Sequence, residues 1–176
     1  MKLTATVLKL SLDEKQSAEV NDRGWEGTLF GQAYLDLSML RGTLKTSDLY
    51  TALDLGLYRP AKMFSLDVPT SMPGECSTED LMAAGDMIFS RDNNPTARDA
   101  GVELVRHNGM PTPSLSVGDL IMFEGLPAEQ PATIICASMG WQLLSTIQES
   151  LAKDKTEAAR RMAEFWLQNH LHLASV

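Results

Sequence analysis

The chain has 176 residues, a formal net charge of −8 and an apolar fraction of 44%. That length carries one domain with a sizeable core plus an appendage, and that apolar fraction excludes a disordered chain. The acidic balance excludes sliding on nucleic acid through bulk charge, but not a local basic patch.

No stretch approaches eighteen consecutive apolar residues, so no membrane-spanning helix is expected. Lys9, Asp13 and Glu14 interrupt the first apolar run, which therefore does not read as a signal peptide. Cys76 and Cys136 lie far apart with no Cys-x-x-Cys spacing. They read as reduced thiols in a cytoplasmic protein.

Taken in order, Leu3, Ala5 and Val7 alternate with Thr4 and Thr6, and Leu8, Leu10 and Leu12 take the other parity. This predicts a strand with a bulge near Val7-Leu8. Asn21 to Gly27 reads as a loop. Thr28 caps a helix whose stripe is Leu29, Ala33 and Leu37, with Phe30 and Tyr34 beside it. Gly42 ends or follows that helix. Ser47 caps a second, short helix carrying Leu49, Ala52 and Leu53, which Gly56 stops. Arg59-Pro60 opens an extended segment to Val68, and 69–73 reads as a loop.

Ser77 with Asp80 three residues on forms a capping box for a helix facing inward through Leu81, Gly85 and Ile88. Arg91 to Asn94 and Pro95 break it. Val102 to Val105 reads as a short strand. Gly118-Asp119 suits a tight bend, because Gly reaches backbone angles other residues avoid and Asp bonds its own neighbouring backbone. Leu120 to Phe123 then reads as a strand buried on both faces, and Thr133 to Cys136 as its partner across a long loop. Ser145 to Gln148 is another capping box. It opens a helix, continuous or broken near Asp154-Lys155-Thr156, whose stripe includes Ala158, Met162, Phe165 and Trp166.

The motifs Gly24-Trp25-Glu26-Gly27, Ala33-Tyr34-Leu35-Asp36, Gly56-Leu57-Tyr58, Asp80-Leu81, Ser114-Leu115-Ser116-Val117-Gly118-Asp119 and Gly140-Trp141 occur in one order. In that order they resemble a group of small proteins carried by phages and plasmids, over roughly Trp25 to Leu144. The resemblance implies an accessory protein of a mobile element with no assigned reaction. Two features depart from it: the Asn- and Pro-rich stretch from Arg91 to Pro113, and the tail after Leu144. A weaker likeness is to RNA-binding β-barrels that open a strand with Val-Gly-Asp.

His170-x-His172 with His107 raises a metal site. Positions two apart take opposite sides of a helix, so no metal is expected there. No phosphate-binding loop, Gly-x-Ser-x-Gly or His-Glu-x-x-His is present. Asp119 is read as fixing its turn rather than as catalytic, so Gly118 and Asp119 are structural. Trp141 is read as core. Trp25, Glu26, Tyr34, Asp36, Phe165 and Trp166 are the candidate partner-binding residues. No catalytic residue, metal or cofactor is expected.

The fold expected is α+β: a small, mostly antiparallel sheet or partly open barrel with two to four packed helices and a long C-terminal helix. Residues 1–144 form the domain and 145–176 a helical appendage. A compact β-barrel with peripheral helices is the alternative. The expected function is that of a non-enzymatic mobile-element protein that binds a host or phage protein complex, as a host-defence inhibitor or regulator. The alternative is an RNA-binding β-barrel module. A homodimer through the C-terminal helix is expected.

Overall fold

A computed structural model describes residues 1–40, 44–70, 75–94, 96, 101–107, 113–126 and 132–144. The elements are β1 (Lys2–Leu10), α1 (Glu14–Arg23), a 3-10 turn (Trp25–Gly27), α2 (Leu29–Ser38), α3 (Thr46–Asp54) and β2 (Tyr58–Asp67). They continue with α4 (Thr78–Asn93), β3 (Val102–His107), β4 (Leu120–Glu124), β5 (Ala132–Cys136) and β6 (Trp141–Leu143). The strands form one antiparallel sheet in the order β3-β2-β1-β4-β5-β6.

This is an α+β fold with an open sheet, so the barrel alternative is overturned. The reason lies in the two-sided apolar pattern of the central strands. Leu3, Ala5, Val7, Ile121, Phe123 and Ile134 form one core with Leu81, Ala84 and Ile88 of α4. Leu8, Leu10, Leu120, Met122 and Ile135 form a second core with Ala33 and Leu37 of α2 and Leu49 and Ala52 of α3. A sheet apolar on both faces needs helices on both, whereas a small closed barrel hides only its inner face.

A register shift falls at Val7-Leu8 as expected, but the bulge is on β2 and not on β1, which pairs with β4 from Thr4 to Leu8 without a break. The β1–β2 register passes from Val7↔Lys62 to Leu8↔Pro60, which leaves Ala61 as the extra residue on β2. The bulge falls beside Pro60, which has no N–H to give to a ladder. Pro60 also lies beyond the β2–β3 pairing, which begins at Lys62.

Asn21 to Gly27 is not a loop throughout. Helix α1 runs to Arg23, and Trp25 to Gly27 makes a 3-10 turn. Asp13 and Gln16 form a capping box for α1, each side chain meeting the other's backbone N–H. Only Val20 of this helix is buried, so it lacks the apolar stripe that would mark it. The Thr28 cap and the Ser77–Asp80 box stand as expected. Leu29 does not join the inward stripe and is 73% exposed. Ser47 is not a cap; α3 starts at Thr46 after Lys45, with no side-chain cap. Helix α4 continues through Arg91 to Asn93, past the break expected there. The expected C-terminal helix, with Phe165 and Trp166, lies outside the described residues, as do Gly42, His170 and His172.

Candidate functional site

The segment from Pro113 to Asp119 is fastened to the sheet by two lysines. Lys9 Nζ donates to Ser114 O at 2.8 Å, to Ser116 Oγ at 3.2 Å and to Asp119 Oδ2. Asp119 also accepts from Leu10 N at 2.9 Å through Oδ1 and from Ser116 N at 2.7 Å through Oδ2. Lys62 Nζ meets Asp92 Oδ1 at 2.5 Å and Pro113 O at 3.3 Å, while Asp92 Oδ2 accepts from Leu115 N at 2.7 Å. Lys9, Lys62 and Asp119 are all buried. Buried charges persist only when paired and hydrogen-bonded, and both lysines meet that condition.

Asp119 thus does what its turn requires. Gly118 has φ +89°, and a Cβ there would stand 2.8 Å from Leu10 Cδ2 and 2.9 Å from Leu37 O. The backbone therefore passes closer to α2 than any side chain allows. The Tyr58 hydroxyl donates to Gly118 O at 2.9 Å. Burial, and then the Asp119 carboxylate, raise the Tyr58 phenol far above its usual range, so it stays a neutral donor. Gly56-Leu57-Tyr58 and the Gly118-Asp119 turn therefore meet in space.

Beside this turn lies a groove of about 470 Å³. Leu10 at the end of β1, Leu12 just beyond it, Ala61 of β2, Pro113, Trp25 and Tyr34 supply its apolar lining, and Lys9 and Arg59 its charged residues. The Trp25 and Tyr34 rings are 5.4 Å apart at 33°. Gly31 permits this placement: a Cβ there would lie 2.4 Å from Trp25 O and 2.5 Å from Thr28 Oγ1. The first turn of α2 can therefore press on the 3-10 turn that carries Trp25. Trp25 remains 42% exposed although it is a large aromatic residue. Grooves of this size with apolar walls and a few polar groups are the usual ligand sites of proteins.

Of the expected partner-binding residues, Trp25 and Tyr34 come together at this groove. Glu26 and Asp36 are exposed and do not line it. Trp141 is core: it packs on Gly85, stands edge-to-face with Phe89 and donates from Nε1 to Asp86 Oδ1 at 2.8 Å. Sequence reasoning missed Arg59 and Leu12 as lining residues. Arg59-Pro60 read only as a strand opening, and nothing in its spacing pointed to Trp25. Cys76 and Cys136 are free thiols. Among the described residues no helix is long and apolar enough to cross a membrane, and no three His, Cys, Asp or Glu side chains converge as metal ligands.

No family model, no curated protein and no solved structure matches this chain.

Proposed function

We propose that the protein is a non-enzymatic binding module of a phage or plasmid. In this reading it takes an apolar side chain of a host or phage protein into the groove beside Trp25 and Tyr34. The observation that carries this reading is the exposed Trp25 ring held against Tyr34 over an apolar groove. Rigid, half-exposed aromatic anchors of this kind dominate protein interfaces. The buried Lys9–Asp119 pair beside the groove supports a role without catalysis. Lys9 gives all three of its donors to fixed acceptors, and Asp119 is filled by backbone and lysine donors. Neither is left to move a proton.

The mobile-element origin rests on the ordered short motifs, and inhibition or regulation of a host-defence complex is the role that suits such an origin. The tail contributes Phe165 and Trp166 to a homodimer contact. Capture from host lysate by the wild type and by Trp25→Ala, read by mass spectrometry, tests the reading. A protein held by the wild type and lost by the variant supports it. Salt-sensitive retention of RNA or DNA, with no protein captured, would instead make this a nucleic-acid binder.

A further inference from the structure

The groove's two charged lining residues differ in what they have left to offer. Lys9 and Arg59 are both cations, in a chain whose formal net charge is −8. An ammonium has three donors, and those of Lys9 are directed at Ser114 O, Ser116 Oγ and Asp119 Oδ2. Lys9 therefore gives the groove its aliphatic stem and no free charge. A guanidinium has five N–H donors. Arg59 meets Asp13 Oδ2 from one terminal nitrogen at 3.4 Å, and its side chain is 48% exposed. Asp13 does not line the groove, and its other oxygen already accepts from Gln16 N. Among the described residues Arg59 is thus the lining cation with donors to spare, and none of the described lining residues is a carboxylate that could take them.

The geometry points to a partner segment that carries an apolar or aromatic side chain with a carboxylate beside it. The apolar group lies against Trp25, Tyr34 and Leu12. The carboxylate takes the fork of Arg59, whose paired N–H groups match a carboxylate's two oxygens. This rests on the proposed role of the groove and adds the chemistry that it selects.

Two tetrapeptides test it: acetyl-Gly-Phe-Asp-Gly-amide and the same peptide with Asn in place of Asp. Binding is followed by chemical-shift changes at the Trp25 indole N–H and at Tyr34 in the full chain. The Asp peptide is expected to bind about two- to fivefold more tightly, an advantage of the size an ion pair gives at a half-exposed site. Arg59→Gln should erase that advantage and leave the Asn peptide unchanged. Equal binding of both peptides to the wild type would overturn the carboxylate preference while leaving the groove a binding site. No shift at Trp25 or Tyr34 with either peptide would overturn both readings. An Asp preference that persists in Arg59→Gln would remove Arg59 from the recognition.

Discussion

Lys9 and Asp119 stand 110 residues apart in sequence and form a buried ion pair. The pair ties β1 to the turn that opens β4, two neighbouring strands at the centre of the sheet. Removing the two partners should not cost the same. Asp119→Ala leaves a buried ammonium unpaired and also strips acceptors from Leu10 N and Ser116 N. A loss of about 3–5 kcal/mol is expected. Lys9→Met leaves the carboxylate with its backbone donors and should cost about 1–3 kcal/mol. Urea denaturation of both variants measures the order. A Lys9→Met loss equal to or greater than that of Asp119→Ala would show that the lysine, not the carboxylate, organises this turn.

Gly118→Ala should cost about 3 kcal/mol. The position has positive φ, and the added carbon would meet Leu10 and the Leu37 carbonyl. The urea midpoint should fall with an unchanged slope, since the unfolded chain is hardly altered. A midpoint equal to that of the wild type would mean that the backbone there is ordinary.

Cys136 gives a pH signature. Burial, then Asp119, push its thiol from near 9.0 up to about 11 in the folded protein. The unfolded thiol ionises first as pH rises, so the unfolded state binds fewer protons between about 9 and 11. The contribution of Cys136 to stability is therefore complete below pH 9 and declines across that window. Alkylation reports the same property, because the thiolate is the reactive form. Iodoacetamide at pH 8 should label partly buried Cys76 before Cys136. Prompt labelling of Cys136 in the folded state would contradict its burial.

Much of the sheet was legible because its strands are written in simple local code. Leu120 to Phe123 is continuously apolar and is buried on both faces. Ser77-Thr78-Glu79-Asp80 shows its capping box openly. Helix α1 was missed because its buried face is a single valine, although Asp13 and Gln16 carried its start signal. The buried lysines were not legible, since lysine ordinarily reads as solvated. A hint lay in their neighbours: Lys9 stands between Leu8 and Leu10, and Lys62 between Ala61 and Met63. The strand order was beyond local reading, because β4 pairs with β1 rather than with β3, its predecessor in the chain. For the same reason the groove was half legible. Trp25 and Tyr34 lie close in sequence, whereas Arg59 reaches them only through the pairing of β1 with β2.

Truncation after Ser150 separates the domain from its tail. The described sheet is complete at Leu143, and Leu144 is buried in the α2–α3 core. The truncated chain should be a folded monomer and the full chain a dimer, as sedimentation at several concentrations would show. A monomeric full chain with an insoluble truncation would make the tail part of the domain core.

Site-specific photo-crosslinking tests the groove most directly. A photoreactive amino acid replaces Tyr34 in one variant and Met139 in another. Tyr34 lines the groove, whereas Met139 is 90% exposed and lies outside it. Each variant is irradiated in host lysate, and covalent adducts are identified by mass. A defined protein adduct from Tyr34 and none from Met139 is the expected result. An adduct from Met139 with none from Tyr34 would place the working surface at the β5–β6 turn and contradict the groove.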